Sequence, residues 1–328
     1  MTEQRTFLIG TRGSLLATTQ SGHVREGISE HGAQAELHIV HTPGDASQAA
    51  QTPVAKIGIG VFTETLRKAL SEKECDIAVH SFKDLPTAPD PRFRTVVPPR
   101  VDPREVLISV DKKPLMELPH GATVGTGAPR RVSQILAARP DLQLMPLRGN
   151  ITTRMGRVGE DLDAVVLARA GLERVGMLDN AAESIDPFLV MPAPAQGALS
   201  IEVRADDDAA FAAVAPLDDS LSHAQAIAER AVLSTLEAGC SAPVAAYSTI
   251  EVSEDGHSAH LVVHGGAYAM DGTETIVRQA ETTIPLGETR TLLDPTWKQS
   301  AEAARDVGKH VGQELLAAGA DRLMAASR

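Results

Sequence analysis

The strongest constraint on the fold is an alternation of short aliphatic strands with helix-forming stretches, run through twice. Phe7-Leu8-Ile9 reads as a strand. Ser14 to His31 reads as a helix, with Ser14 near its start and Gly32 just past its end. Ala35 to Val40 is a strand, Val61 to Leu70 a helix and Ile77 to His80 a strand. This βαβαβ order implies a parallel sheet with helices on both faces. A proline-rich break follows at Pro86 to Pro103, and then the pattern restarts. Val106 to Val110 and Thr123 to Gly125 are strands, Ala128 to Ala138 a helix and Leu142 to Leu147 a strand. Ile151 to Val158 is a helix, Ala164 to Leu167 a strand and Ala170 to Val175 a short helix. Two similar α/β domains follow from this. Pro192-Ala193-Pro194 marks another crossing, and the strand Ala198 to Val203 fits either domain on its residues alone.

From Ser220 the pattern changes. A helix at about Ser222 to Leu236 precedes three strand-like runs, Val244–Val252, Ala259–Tyr268 and Thr275–Ile284. A long helix covers Gln299 to Ala318, after a loop at Gly287 to Trp297. Consecutive strands without intervening helices predict an antiparallel sheet, hence a small α+β third domain.

Composition narrows the function. The chain has 328 residues, 43% hydrophobic but only 3% aromatic, so its cores must be aliphatic. The polar start, Met1 to Phe7, and the short apolar run after it do not read as a signal peptide. No stretch approaches the ~20 apolar residues of a membrane span. A cytoplasmic, soluble protein is expected. Cys75 and Cys240 lie far apart and show no Cys-x-x-Cys or zinc spacing. His257, His260 and His264 do not all share one face of a strand, so no metal site is expected. Asp206-Asp207-Asp208 reads as the opening of a helix.

Against a formal net charge of −12 stands a patch made only of arginine: Arg130, Arg131, Arg139, Arg148, Arg154 and Arg157. Asp141 is the only acid in that window, and it holds no lysine. Arginine alone suits bidentate grip on carboxylates or phosphates. Nucleic-acid binding does not fit, because stacking rings and a basic face are missing. A small ligand with several anionic groups is expected.

Three helix starts sit beside an arginine: Thr11-Arg12-Gly13-Ser14, Thr126-Gly127-Ala128-Pro129-Arg130-Arg131 and Arg148-Gly149-Asn150. Each follows a strand, at the edge where open α/β sheets bind ligands, and helix N-termini attract anions. Ser81, Lys83 and Asp84 end another strand. They read either as a ligand site or as a surface ion pair. Cys240 follows a helix end closed by Gly239. That is a poor place for a reactive thiolate. It suits either a permanent attachment point or a small buried side chain, and Cys75 fits the buried role. Gln196-Gly197 at the second crossing reads as a polar hinge or a plain linker. Thr42 to Gly60, with Lys56, reads as a lid or as a surface loop.

Together these residues resemble the porphobilinogen deaminase (hydroxymethylbilane synthase) family of tetrapyrrole synthesis. The resemblance runs from Ile9 to about Leu323. It is carried by Thr11-Arg12-x-Ser14, Ala78-Val79-His80-Ser81-x-Lys83-Asp84-x-Pro86 and Gly125-Thr126 with Arg130-Arg131. Leu147-Arg148-Gly149-Asn150 with Thr153-Arg154, Ala195-Gln196-Gly197-Ala198 and Glu237-x-Gly239-Cys240 complete it. It implies two lobes like those of a periplasmic binding protein and a third, small α+β domain. The implied divisions are 1-98 plus 196-218, 103-193 and 220-328. It implies head-to-tail joining of four porphobilinogen molecules with loss of ammonia, on a dipyrromethane cofactor thioether-linked to Cys240. By the same resemblance Asp84 is catalytic, and Ser81, Lys83, Asp84, Thr126, Arg130 and Arg131 hold the cofactor. Arg12, Ser14, Gln20, Arg148, Arg154, Arg174, Gln196 and Gly197 serve the substrate or growing chain, and Lys56 belongs to the lid. A monomer is implied.

Two departures stand out. The family often has a serine pair where this chain reads Gly127-Ala128, so two hydroxyl contacts are lost. The lid reads Lys56-Ile57-Gly58-Ile59-Gly60, one residue shorter and without a second lysine. The competing reading is a cytosolic two-lobed binding protein for a polycarboxylate. That reading leaves Cys240 and Asp84 without a purpose.

Overall fold

The computed structural model describes residues 5–40, 61–238 and 242–325. The chain divides into two compact units. The first comprises Met1–Arg100, Ala198–His223 and Gly287–Lys298. The second comprises Val101–Gly197, Ala224–Leu286 and Gln299–Arg328.

The five-stranded sheet of the first unit runs in the order Gln34–Ile39 (β2), Thr6–Thr11 (β1), Ile77–Ser81 (β3), Leu199–Arg204 (β10) and Phe93–Val96 (β4). β1 pairs in parallel with β2 and β3. β10 runs antiparallel to β3 and to β4, so the expected all-parallel sheet is mixed. The reason is topological. β10 arrives after a long excursion of chain, not through a short crossover helix, and no right-handed βαβ unit dictates its direction. β4 lies inside the stretch read as a proline-rich break. It takes the sheet edge, where neighbouring prolines are tolerated.

The core of this unit is aliphatic. Ile9, Ile28, Ile77 and Ile201 are wholly buried in one cluster. Each contributes roughly 1.5–3 kcal/mol of burial. The helix Leu15–Glu30 adds Val24 and Ile28 to that cluster. It starts at the Ser14 cap, whose side chain accepts from the Ala17 amide at 3.4 Å, and ends at His31, followed by Gly32 at φ +83°. β10 is buried along its whole length, so its polar alternate residues are buried too. Glu202 is held there by Arg67 at 2.7 and 2.9 Å, with His80 Nε2 at 3.3 Å. The loop Gly287–Lys298, read as part of the third domain, packs within this unit. Its Leu292 lies against the core cluster, and its amide donates to Asp218 at 2.9 Å.

The second unit holds two sheets. The larger runs Gln143–Pro146 (β7), Thr123–Thr126 (β6), Ala164–Ala168 (β8), Glu105–Ser109 (β5) and Glu183–Ser184 (β9). β6 is parallel to β7 and β8, whereas β5 is antiparallel to β8 and β9, so this sheet is mixed as well. The helix expected over Ile151 to Val158 stops at Met155, where Gly156, a poor helix former, follows. The smaller sheet is the antiparallel meander Val244–Val252 (β11), Ser258–Tyr268 (β12) and Thr275–Pro285 (β13). In this unit the helix Trp297–Ala317 comes so close to the helix Ser220–Thr235 that a Cβ on Gly308 would meet the Ala228 carbonyl oxygen at 2.0 Å. Among the described residues no helix is long and apolar enough to cross a membrane.

Candidate active site

In the first unit the expected residues gather at the carboxyl edge of the parallel strands. Gly10 of β1 lies opposite Ala78 of β3, so Arg12 and Ser81 leave the sheet at nearly the same level. Ser14 caps the helix that begins there, and Gln20 lies buried on its second turn. The Gln20 amide donates to the Ser81 hydroxyl at 3.3 Å. After Ser81 the chain makes a 3₁₀ turn, Phe82–Asp84, anchored by buried Phe82, whose amide donates to the Ala198 carbonyl at 3.1 Å. That turn leaves Lys83 half-buried and Asp84 exposed. Among the described residues one edge thus presents Arg12, Ser14, Gln20, Ser81 and Lys83 together with the carboxylate of Asp84. β2 ends at the same edge. The segment 42–60 after it, with Lys56, lies outside the described residues, as does Cys240.

In the second unit the carboxyl ends of β6, β7 and β8 form the corresponding edge. Thr126 is buried at the end of β6, and Pro129 takes the first position of the helix Pro129–Ala138. That helix start has no side-chain cap. Gly127 is required by packing, since a Cβ there would lie 2.6 Å from the Leu147 carbonyl oxygen. The absence of a serine side chain at 127 therefore matches a close approach of the neighbouring loop. Asn150 caps the helix Ile151–Met155 by accepting from the Thr153 amide at 2.9 Å. Arg154 folds back, its Nε donating to the Gly149 carbonyl at 2.7 Å, while Arg148 is exposed. Arg174 and Gly197 meet, the guanidinium donating to the Gly197 carbonyl at 2.6 Å. Desolvation pushes the Arg174 guanidinium down to about 10, against the pull of Glu173. Gly197 has φ +88°, and a Cβ there would strike the Val101 carbonyl oxygen at 2.4 Å. Gln196 is wholly buried, its amide donating to the Pro103 carbonyl at 2.7 Å and its oxygen accepting from Arg130 at 3.2 Å.

The arginine patch changes character in three dimensions. Its counter-charges come largely from outside the sequence window. Arg130 and Arg131 are buried against Glu105 at 2.5 and 2.7 Å. Arg157 pairs with Asp161. Arg139 pairs with Asp141 at 2.7 Å and donates to the carbonyls of Leu115, Met116 and Leu118, which makes it a scaffold residue. The Arg139 hydrogen bonds hold the Asp141 carboxyl far below the usual carboxylate range. Glu105 escapes a reading by strand pattern because the aliphatic run begins one residue later, at Val106. Its charge beside Arg104 was the available signal.

The edge of the first sheet combines hydrogen-bond donors with one exposed carboxylate, a set matched to a ligand with several carboxylates and N–H groups. The family described as "Porphobilinogen deaminase, dipyromethane cofactor binding domain" matches residues 7–212, and its C-terminal domain matches residues 223–317. This chain belongs to the porphobilinogen deaminase family. It is 51% identical to the porphobilinogen deaminase of Corynebacterium glutamicum over 97% of this chain and 98% of the relative. With that of Mycobacterium tuberculosis it shares 46% identity over 96% of this chain and 97% of the relative. Among solved structures it is similar to the Lactococcus lactis GlnP substrate binding domain 2. There the identity is 12%, over 65% of this chain and 88% of that one, with a TM-score of 0.42.

Family membership leaves the division of labour within the chain to geometry. The structure brings together Arg12, Ser14, Gln20, Ser81, Lys83 and Asp84. Separately it links Arg130, Gln196 and Glu105, and Arg174 with Gly197. His260 lies 3.4 Å from Glu281, and the His264 ring packs edge-on against Phe188.

Proposed function

We propose that this protein polymerises four porphobilinogen molecules head to tail, with loss of ammonia, to hydroxymethylbilane. The observation that carries the reading is the family match over residues 7–212 and 223–317. The residues fit a dipyrromethane group: donors for its carboxylates stand beside the exposed Asp84 carboxylate, an acceptor for pyrrole N–H groups. When bound, that group supplies the nucleophilic pyrrole on which the chain is extended. In this reading Cys240 carries it, and Ser81, Lys83, Thr126, Arg130 and Arg131 hold its carboxylates.

Each porphobilinogen brings an acetate and a propionate. Arg12, Ser14, Gln20, Arg148, Arg154 and Arg174 receive these groups. Gln196 supports the site through Arg130, and Gly197 through Arg174. Loss of ammonia from porphobilinogen leaves an electron-poor azafulvenium cation. The Asp84 carboxylate lies at the edge of the donor cluster, where it stabilises that charge and accepts the pyrrole N–H bonds. It also stands in reach to move protons between steps. The chain is read as three domains, 1-98 plus 196-218, 103-193 and 220-328. Support comes from the family's separate C-terminal domain, which starts at residue 223. A cytoplasmic location, supported by the reducing-compartment cysteine usage, and a monomeric state, implied by the family resemblance, complete the proposal.

An intact mass spectrum of the purified protein tests it. The chain should weigh more than its sequence by two condensed pyrrole units. Cys240→Ala should show the bare mass and make no bilane, while Cys75→Ala keeps the added mass. Bilane production by a Cys240→Ala chain of bare mass would overturn the assignment.

A further inference from the structure

Glu105 is wholly buried at the start of a strand that continues Val106-Leu107-Ile108-Ser109. Its two carboxylate oxygens reach two different guanidiniums, Oε1 to Arg130 at 2.5 Å and Oε2 to Arg131 at 2.7 Å. Among the described residues the other acceptors hydrogen-bonded to this arginine pair are neutral. Arg130 donates to the Met191 carbonyl and to Gln196, and Arg131 donates to the Val166 carbonyl. Two cations and one anion leave a surplus positive charge in a buried place. Burial and the neighbouring Arg131 both work against the charge on Arg130, and Glu105 works for it. A buried surplus charge is costly until another partner completes it. Arg131 also keeps a buried Nε–H that has no partner among the described residues. A surplus charge together with an unused donor points to an anionic group as the missing partner.

We propose that Glu105 is a positioning residue that clamps Arg130 and Arg131 into one fixed pair for the carboxylates of the dipyrromethane group. The inference rests on the functional reading above. Glu105 touches neither substrate nor cofactor and acts through the two guanidiniums. It stands on a sheet strand, which holds a site more precisely than a loop does. Without it the two cations repel each other and splay. A displacement of about 1 Å at a positioning group can cost 10²-fold.

The test follows the full-length apoprotein by intact mass while it takes up the two-pyrrole increment from porphobilinogen. Glu105→Gln should load at least about tenfold more slowly than wild type, the size of one lost charged hydrogen bond. Arg131→Gln should slow loading too. The double variant should be slower than Arg131→Gln by a smaller factor than Glu105→Gln is slower than wild type, because only Arg130 of the two groups Glu105 acts through is left. Glu105→Asp keeps the charge but is too short to span both guanidiniums. It should load about threefold or more below wild type and faster than Glu105→Gln. It serves as the deciding variant if Glu105→Gln does not fold. Loading at the wild-type rate or faster, by Glu105→Gln or in its place Glu105→Asp, would overturn the proposal even with a lowered Tm. So would effects that simply multiply in the double variant. If the wild-type apoprotein takes up no increment, the functional reading fails and this proposal fails with it. Wild-type loading with undisturbed variants sinks this proposal alone.

Discussion

Arg67 and Glu202 show how a single buried charge is settled in this protein. They stand 135 positions apart, yet two hydrogen bonds join them in the interior of the first unit. Asp84 is the opposite case, an exposed carboxylate that the turn Phe82–Asp84 presents at the sheet edge. Because it is exposed, its substitution should leave stability alone. Asp84→Asn keeps the size and removes the charge. It should retain its Tm and its covalent cofactor but lose on the order of 10²–10³ in rate, the scale of a preorganised electrostatic contact. Rapid-quench single-turnover measurements on the loaded variant would show this. A near-normal rate would move Asp84 from the chemistry to the surface.

Among the elements, the helices Ser220–Thr235 and Trp297–Ala317 pack closely. A Cβ on Gly308 would lie 2.0 Å from the Ala228 carbonyl oxygen and 2.9 Å from the Ala231 side chain, and one on Gly312 would lie 2.6 Å from Thr235. Two effects oppose each other at Gly308. Alanine is the better helix former by about 1 kcal/mol. Against that, the carbonyl belongs to a helix backbone and cannot step aside, and overpacking of this kind costs about 1–3 kcal/mol or more. The steric effect wins, so Gly308→Ala should lower the Tm. Alanine substitution at Gly22, whose Cβ would meet nothing within 4 Å, should not. A rise in Tm for Gly308→Ala in calorimetry would show that the two helices separate freely.

For the molecule as a whole, acid stability reports the buried ion pairs. Burial alone pushes the Glu202 carboxyl up. The Arg67 hydrogen bonds and the adjacent His80 more than offset this and hold it at about 2. Asp207, desolvated but bonded to Arg5, the Ala210 amide and Arg204, is likewise held at about 2. Carboxyls depressed in the folded state contribute stability that is complete above their unfolded value of about 4 and is lost as pH falls toward 2. Denaturant midpoints should therefore be steady around neutrality and fall steeply below about pH 4. In Glu202→Gln that fall should be shallower, with the whole curve lowered because Arg67 is left buried with a weaker partner. An unchanged acid limb in Glu202→Gln would show that the pair does not govern it.

The sequence alone was enough for most of the elements and their order, but not for the edge strands β4 and β9. Caps and periodicity are local, so Ser14, Gly32, Pro129 and Asn150 declared their helices, and the meander of β11 to β13 was legible to within a residue or so. The carboxyl-edge residues were legible too, because they follow their strands directly. Strand direction was not. The antiparallel insertion of β10 and the edge strand β4 depend on pairings between segments far apart in the chain, which no local pattern encodes. Nor was the state of the arginines. A run with a single acid reads as a ligand patch, but charge neutralisation acts through space. Only the folded chain could bring Glu105 to Arg130 and Arg131 and make the loop at Leu292 part of the first unit's core.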